Sequence, residues 1–154
     1  MKESFKKVQE FNAAMQISEN KSFGALPSPA HSELSHKLMA EELKEYREAV
    51  DNHDIIEVAD ALIDMKYVLD GMMLKHGLTW QKAEALFNEV HASNMSKVCT
   101  TEKEAADTVI YYRTLGVGSS AYATPSGWVI KRVDGKILKS INYFKPDIER
   151  ILND

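Results

Sequence analysis

The chain has 154 residues, 44% hydrophobic and 27% charged, which is the composition of an ordinary globular protein. Its net charge of −4 and the lack of any basic run argue against general nucleic-acid binding. A single cysteine, Cys99, excludes an internal disulfide and a cysteine-based zinc site, and it favours a reducing, cytoplasmic location. The sequence contains no signal-peptide core and no apolar run of membrane-spanning length, so no membrane association is expected.

The first predicted element is a helix over residues 4–17, with Phe5, Val8 and Phe11 among its apolar residues. A loop containing glycine and proline follows over residues 18–29. Aromatic residues at helical spacing normally lie in a core, so we expect core packing for Phe11.

Two acidic helices come next, at about residues 34–51 and 55–76, joined by a turn in which Asp54 is a good N-cap. Residues 41–70 contain ten acidic and three basic residues. On the first helix, a rotation of about 100° per residue places Glu42 and Glu45 on the side predicted to be buried.

The second acidic helix is apolar nearly all round, which predicts a central position in a bundle. Glu57, Asp60 and Asp64 nevertheless share one stripe on it, and folding the helices about the turn brings Asp64 level with Glu42. Burying ionised carboxylates without partners costs several kcal/mol or more. Since the two helices contain few basic residues, we favour a site for a hard cation such as Mg²⁺ over salt bridges.

Some assignments within this cluster stay open. Glu57 could instead complete a capping box with Asp54, and Asp64 could lie just outside the metal's own ligands. Glu41, at the edge of the inward side, is expected to be exposed or to support the ligands indirectly.

Beyond the acidic pair, Thr79 is predicted to cap a helix that reaches about residue 96, with Ala83, Phe87 and Val90 facing inward. Asn94 and Lys97 continue the same side.

A further helix is predicted over about residues 101–115, followed by a loop over 116–127. Asp134-Gly135 then predicts the turn of a β-hairpin over residues 128–141, and a short helix begins near Pro146. Lys139 is the best candidate for phosphate contact in this basic appendage.

Two sets of residues carry a family resemblance. Glu41-Glu42-x-x-Glu45 followed by Glu57-x-x-Asp60 resembles the signature of the all-α nucleoside triphosphate pyrophosphohydrolases, the MazG-like superfamily. Asp60-Ala-Leu-Ile-Asp64-Met-Lys-Tyr67 and Val90-His-Ala-Ser-Asn94-Met-Ser-Lys97 resemble its phosphoribosyl-ATP pyrophosphohydrolase-like branch. The resemblance covers residues 5–98, and its one departure is a short interval between Glu45 and Glu57.

The resemblance implies an all-α fold, with a four-helix-bundle core of the MazG-like type and a small C-terminal β-hairpin appendage. A single domain over residues 1–154 is expected, with a helical core at about 4–98 and a C-terminal part at about 101–154. The implied reaction is metal-dependent hydrolysis of an NTP or dNTP to NMP and pyrophosphate. The alternatives are phosphoribosyl-ATP pyrophosphohydrolase activity and a non-catalytic metal-binding helical protein.

The resemblance also implies roles for individual residues. The implied ligands of Mg²⁺, or of Mn²⁺, are Glu42, Glu45, Glu57, Asp60 and Asp64. Glu45 would also act as the catalytic carboxylate, and Asn94 and Lys97 would bind the nucleotide substrate. Lys139, outside the resemblance, is predicted to contact the substrate's phosphates, with a solvated side chain as the alternative. Phe11 or Phe23 could stack on the base, and a homodimer or homotetramer is expected.

Overall fold

A computed structural model describes residues 1–24 and 26–153, and this part of the chain is mostly helical. In chain order the elements are α1 (Lys2–Ala14), α2 (Pro29–Asp51), α3 (Ile55–Lys75), α4 (Trp80–Met95), α5 (Glu102–Thr114), β1 (Ser119–Thr124), β2 (Gly127–Arg132) and α6 (Ile148–Asn153). This architecture confirms the predicted fold class, a helical protein with a small β-hairpin towards its C-terminus. Within the described ranges, none of the helices is long and apolar enough to cross a membrane.

Packing divides the chain into two compact units, Met1–Glu84 and Ala85–Asp154, and the division falls inside α4. In the first unit, α3 packs against both α1 and α2. In the second unit, α5 packs against both strands of the hairpin. A single functional domain over residues 1–154 stays a prediction.

Local capping chemistry sets most helix ends. Asp54 caps α3, since its carboxylate accepts hydrogen bonds from two backbone amides of the first turn, and Thr101 caps α5, since its hydroxyl accepts from the Glu104 amide. The start of α2 was predicted too late. Ser28 caps this helix and Pro29 is its first residue, a pair that is a recognised helix-start signal because proline needs no intrahelical donor there.

The first unit has a small core of Phe5, Val8, Leu74 and Ala83. The prediction that the second acidic helix is buried nearly all round is wrong for its N-terminal half. Ile55, Ile56 and Ile63 are 75%, 76% and 63% exposed, because α1 and α2 cover other sides of α3.

Two further burial predictions are corrected. Phe11 was expected in the core but is 44% exposed, while Asn12 beside it is buried and bonds the Glu19 carboxylate at 2.8 Å. Phe87 of α4 was expected to face inward but is 61% exposed. In both helices the apolar side is wider than the surface that the neighbouring elements cover.

The hairpin of the second unit lies earlier in the chain than predicted. β1 pairs with β2 in antiparallel register, with Thr124 opposite Gly127, so the predicted loop at 116–127 contains a strand. Small and polar residues dominate β1, and they carry little of the alternating apolar signal by which strands are predicted.

The Asp134-Gly135 turn forms, but its second arm pairs only briefly. The Gly135 amide donates to the Arg132 carbonyl at 2.9 Å, and Lys131 and Ile137 form an isolated bridge. Leu138 then joins a core with Cys99, Ala105 and Ile130. The Leu138 amide still donates to the Ile130 carbonyl of β2 at 2.8 Å, so this arm follows β2 as far as Leu138 without forming a regular strand.

Candidate metal and substrate sites

Glu42 is the acidic residue that the fold places in the most unusual environment. It lies on the same side of α2 as the buried residues Ser35 and Ala49, and it is itself partly buried. Its Oε2 atom is inaccessible to solvent and has no hydrogen-bond partner in the described chain. A buried acceptor left unpaired costs about 1–3 kcal/mol, so this position favours a ligand that supplies positive charge.

The pKa of Glu42 is raised, first by burial and then by the like charges of surrounding carboxylates. In decreasing order of effect, these are Glu45, Asp64, Glu41 and Asp60. Acidic side chains of both α2 and α3 therefore lie close enough to Glu42 for their charges to raise its pKa. The charge of Asp64 raises the pKa of Glu42 more than the charge of Asp60 does. This order agrees with the prediction that Asp64 lies level with Glu42 across the two helices.

A second acidic grouping lies beside the turn between α2 and α3. An open cleft of about 350 Å³ is lined by Glu45, Glu48, Ala49, Asn52, Asp54 and Glu57. Glu45 therefore belongs to both groupings, since its charge also acts on Glu42. Glu45 is thus the residue that the two acidic groupings share.

The lysines and the arginine of α2 and α3 bond to groups other than the five predicted ligands; Lys75, for example, donates to the Ser35 hydroxyl at 3.2 Å. Lys44 pairs with Glu48 at 3.4 Å, Arg47 with Asp51 at 3.0 Å, and Lys66 with Asp70 at 2.6 Å. Within residues 1–24 and 26–153, none of the five predicted metal ligands forms an ion pair with lysine or arginine. The alternative that these acids serve as salt-bridge partners therefore has no support.

The capping alternative for Glu57 can also be examined in the structure. The Asp54 carboxylate accepts from the Glu57 amide at 3.2 Å, which is half of a capping box. The Asp54 amide, which would close the box, donates instead to the Ala49 carbonyl at 2.9 Å. The Glu57 carboxylate is therefore not engaged in the cap.

One prediction about these acids is wrong. Glu45, Glu57, Asp60 and Asp64 were expected at buried positions, yet all four are exposed and only Glu42 is partly buried. The side chains of the described chain also form no group of three or more His, Cys, Asp or Glu residues placed to hold a metal ion. The region offers hard oxygen donors and one unpaired buried oxygen, which suit Mg²⁺, but it has no preformed coordination shell.

Asn94 and Lys97, two of the predicted substrate-binding residues, contact each other, and the third, Lys139, contacts Tyr143. The Lys97 ammonium donates to the Asn94 side-chain oxygen at 2.7 Å. Lys139, from the segment after the hairpin, places its Nζ atom 4.2 Å from the centroid of the Tyr143 ring. The hydrogen bond from Ser93, together with the charges of both lysines, lowers the pKa of Tyr143.

Tyr143 was not predicted as a site residue. The only local signal was an aromatic residue shortly after Lys139, which is typical of core packing as well. Its place beside Ser93 of α4 depends on a contact between residues 50 positions apart in the chain.

An aromatic pair lies along the acidic stripe of α3. Phe11 packs edge to face against Tyr67, with the ring centroids 5.9 Å apart. Both rings are partly exposed, as is Phe23. Tyr67 follows Asp64 by about one helical turn, so the Phe11–Tyr67 pair offers apolar surface near that acid, whereas Phe23 lies beside Gly77 at the other end of α3.

The helical fold and the acidic residues of α2 and α3 agree with the resemblance to the all-α MazG-like superfamily. A profile of the phosphoribosyl-ATP pyrophosphohydrolase family matches residues 8–94, which is more than half of the chain. The chain therefore belongs to this family.

A relative is known from a virus. An uncharacterized protein of Acanthamoeba polyphaga mimivirus is 41% identical over 69 residues, which cover 40% of this chain and 27% of the viral protein. The chain thus spans about a quarter of that relative's length.

Proposed function

We propose that this protein is a metal-dependent hydrolase that cleaves a nucleoside triphosphate, an NTP or dNTP, to the monophosphate and pyrophosphate. The observation that carries the proposal is the unpaired, buried oxygen of Glu42, crowded by other carboxylates while the nearby cations pair elsewhere. Unpaired negative charge of this kind raises the free energy of the metal-free folded protein, and binding of a divalent cation would lower it.

Glu42, Glu45, Glu57 and Asp60 would hold Mg²⁺ or Mn²⁺, with Asp64 as a further ligand or as a partner of the ligands. When bound, the cation neutralises charge on the substrate's phosphate oxygens. Carboxylate donors from two helices suit this task because they are the ligands that hard divalent cations prefer.

Glu45 would act on the attacking water. Because it is exposed and lies in both acidic groupings, its carboxylate can orient a water molecule and accept its proton. Asn94, Lys97 and Lys139 would bind the substrate, with the two ammonium groups contacting phosphate oxygens as point charges. Phe11 and Tyr67 would offer a stacking surface to the base.

The family match favours a second candidate substrate, phosphoribosyl-ATP. Its hydrolysis breaks the same type of bond, an α–β phosphoanhydride, and also releases pyrophosphate. The acidic region described here serves either substrate, so the two candidates differ in the group attached to the phosphates.

The proposal is tested with the purified protein, Mg²⁺ or Mn²⁺, a panel of NTPs and dNTPs, and phosphoribosyl-ATP. Products are identified by chromatography, and we expect a monophosphate and pyrophosphate in equal amounts. Release of single phosphate groups would overturn the assignment of the cleaved bond. Metal binding without hydrolysis of any substrate would favour the non-catalytic alternative.

We also propose that the chain forms a homodimer or homotetramer in the cytoplasm. The exposed apolar side chains on α2 and α3, among them Leu43, Ile56 and Ile63, support association because such surface is costly in water. Light scattering of the purified protein measures the assembly. A monomer at micromolar concentration would contradict the proposal.

A further inference from the structure

Strand β1 lies at an open edge of the hairpin sheet. It pairs with β2 on one side, and in the part of the chain that the structure describes no strand pairs with its other side. The register runs without a bulge from Ser119 opposite Arg132 to Thr124 opposite Gly127. An edge of this kind presents backbone donors and acceptors to a further strand.

The hydrogen bonds of β2 show how the backbone of the hairpin is turned. The Trp128 amide and carbonyl both bond Cys99, at 2.8 Å each, so they turn away from β1. The Ile130 carbonyl turns the same way, since it accepts from an amide beyond the hairpin turn at 2.8 Å. Because the direction alternates along a strand, Val129 faces β1, where its register partner is Tyr122.

The same alternation on β1 turns the backbone groups of Ala121 and Ala123 outwards, while those of Tyr122 face β2. No backbone group outside the hairpin bonds either alanine in the described chain. Ala121 packs against the core of the second unit, so the Tyr122 ring projects from the opposite side of the sheet, where it is 51% exposed. An incoming strand would therefore meet unused donors and acceptors beside an exposed ring.

The sequence of β1 reads nearly the same in both directions about Tyr122. An alanine lies on each side of the tyrosine, and Ser120 and Thr124, which both have hydroxyl side chains, lie beyond the alanines. The strand contains no charged residue and no proline, which are features by which exposed edges prevent pairing. A second copy of β1, turned to run antiparallel, therefore presents a matching pattern.

We infer that β1 pairs with β1 of a second copy of this chain, in antiparallel register with Tyr122 opposite Tyr122 of the partner subunit. Ala121 then lies opposite the partner's Ala123, and each such pair exchanges two backbone hydrogen bonds. Ser120 lies opposite the partner's Thr124, and the two tyrosines form an aromatic cross-strand pair. Since β1 is uncharged, no like charges come opposite each other along the contact.

The size of this contact determines its place in an assembly. A standard interface involves about 20–30 residues on each side, whereas β1 has six. The edge contact is therefore weak by itself, and it would join two dimers formed through the apolar side chains of α2 and α3 into a tetramer. It adds an interface in the second unit to the proposed homo-oligomer and is independent of the proposed reaction.

The experiment is disulfide trapping in the full chain. At a cross-strand pair without direct hydrogen bonds, the Cα atoms are about 4.5 Å apart, a distance that a disulfide spans. Cys99, the one cysteine of the parent, is 0% exposed, so an introduced surface thiol reacts first. We expect Tyr122→Cys to form a covalent dimer in oxidised glutathione, at a yield at least about tenfold above that of Val133→Cys. Val133 is 92% exposed and controls for random collision, and non-reducing gels measure both yields.

Two further variants test the register. In Ser120→Cys alone or Thr124→Cys alone, the thiols of the two copies are four residues out of register, roughly 13 Å apart, which is too far for a disulfide. When the two variants are mixed, they should form a covalent heterodimer, because Ser120 lies opposite Thr124 of the partner subunit. Efficient cross-linking of Ser120→Cys by itself would contradict the proposed pairing.

A proline tests the outward backbone donor. Ala123→Pro removes an amide that faces the second copy and leaves the bonds between β1 and β2 in place. Combined with Tyr122→Cys, it should lower the yield of covalent dimer about tenfold, because each copy loses a hydrogen bond. Ala123→Ser, which keeps the amide, should leave the yield unchanged. Equal yields with proline and serine would show that β1 does not pair through this edge.

A Tyr122→Cys variant that gives no more covalent dimer than Val133→Cys overturns the inference and leaves the edge to a strand of a different protein. The same result with a parent that is oligomeric in light scattering would keep the proposed contact through α2 and α3. A specific disulfide in Tyr122→Cys with a parent that is monomeric at micromolar concentration would support the edge contact and remove the one through α2 and α3.

Discussion

Glu42 in the first unit and Glu104 in the second are two shielded glutamates in opposite situations. Glu104 is 9% exposed and accepts hydrogen bonds from the Thr100 amide at 2.8 Å, the Thr100 hydroxyl at 3.0 Å and the Ser140 hydroxyl. Glu42 has a solvent-inaccessible oxygen with no such partner among the described residues. One carboxylate is satisfied by the protein, and the other is not.

The pKa values of the two groups move in opposite directions. Burial raises the pKa of Glu42, and the neighbouring carboxylates raise it further. Burial also acts to raise the pKa of Glu104, but the hydrogen bonds from Ser140 and Thr100 outweigh it and lower the value. The difference shows that hydrogen-bond partners and neighbouring charges, more than burial, decide the direction in which the pKa of a shielded acid moves.

The largest expected effect concerns the centre of the acidic region. We predict that Glu45→Gln lowers turnover by at least about 100-fold, because general-base catalysis is worth roughly 10²–10⁴-fold. Far-UV circular dichroism and urea unfolding should match the parent, since Glu45 is exposed. Glu33→Gln is the control, an exposed acid on the same helix whose partner is Lys37. Retained activity in Glu45→Gln would remove this residue from the site.

A divalent cation should raise the free energy of unfolding through the acidic residues of the first unit. We predict that Mg²⁺ at 100 times its dissociation constant stabilises the parent by about 2.7 kcal/mol, as linkage requires for a ligand of the folded state. The stabilisation should disappear in a Glu42→Gln/Glu45→Gln double variant. Sodium chloride at the same ionic strength is the control for charge screening. An equal response of parent and double variant would place any bound ion elsewhere.

Glu104→Gln tests the satisfied carboxylate. We expect a loss of about 2 kcal/mol in the free energy of unfolding, because charged hydrogen bonds to a buried group are lost. Glu102→Gln, at an exposed position of the same helical turn, should change stability by less than about 0.5 kcal/mol. Equal stability of the two variants in urea titrations would contradict the role of Glu104.

The pH dependence of this loss has a definite sign. Because the folded pKa of Glu104 is lowered, its contribution is fully present above the unfolded value of about 4.3. It is lost as the pH falls through the folded pKa, where the parent carboxylate is protonated as well. The gap between parent and Glu104→Gln should therefore narrow in acid.

The smallest expected effect has the opposite sign. Without a divalent cation, Glu42→Gln should raise the free energy of unfolding by about 1 kcal/mol near neutral pH, because it removes an unpaired, repelled charge. The folded pKa of Glu42 is raised, so the gain is full above that value and disappears below the unfolded value. Urea titrations near pH 7 and pH 4, with the exposed Glu41→Gln as control, measure it. A destabilised variant would show that Glu42 has a partner.

Several features could be predicted because they depend on neighbours in the chain. The ends of α3 and α5 follow from Asp54 and Thr101, which bond the first amides of their helices. The acids of α2 and α3 follow from helical spacing, and their approach follows from a short turn. The start of α2, which was predicted too late, could also have been predicted from Ser28 and Pro29.

Other features were missed because their signal is weak or non-local. The polar strand β1 forms through its pairing with β2, and no local sequence pattern indicates that pairing. The exposure of Ile63 depends on which sides of α3 the other helices cover. Periodicity identifies an apolar side but does not say whether the same chain covers it.

By itself, the sequence determined the helices, their caps and the spacing of the acidic residues, since these rest on interactions within a few residues. Only the tertiary structure decided that Glu42, alone among the acids at positions 1–24 and 26–153, has a shielded and unpaired oxygen, that Ser140 donates to Glu104, and that Lys139 lies over the Tyr143 ring. The physical reason is that burial and hydrogen-bond satisfaction depend on segments distant in the chain, which meet only when the chain folds.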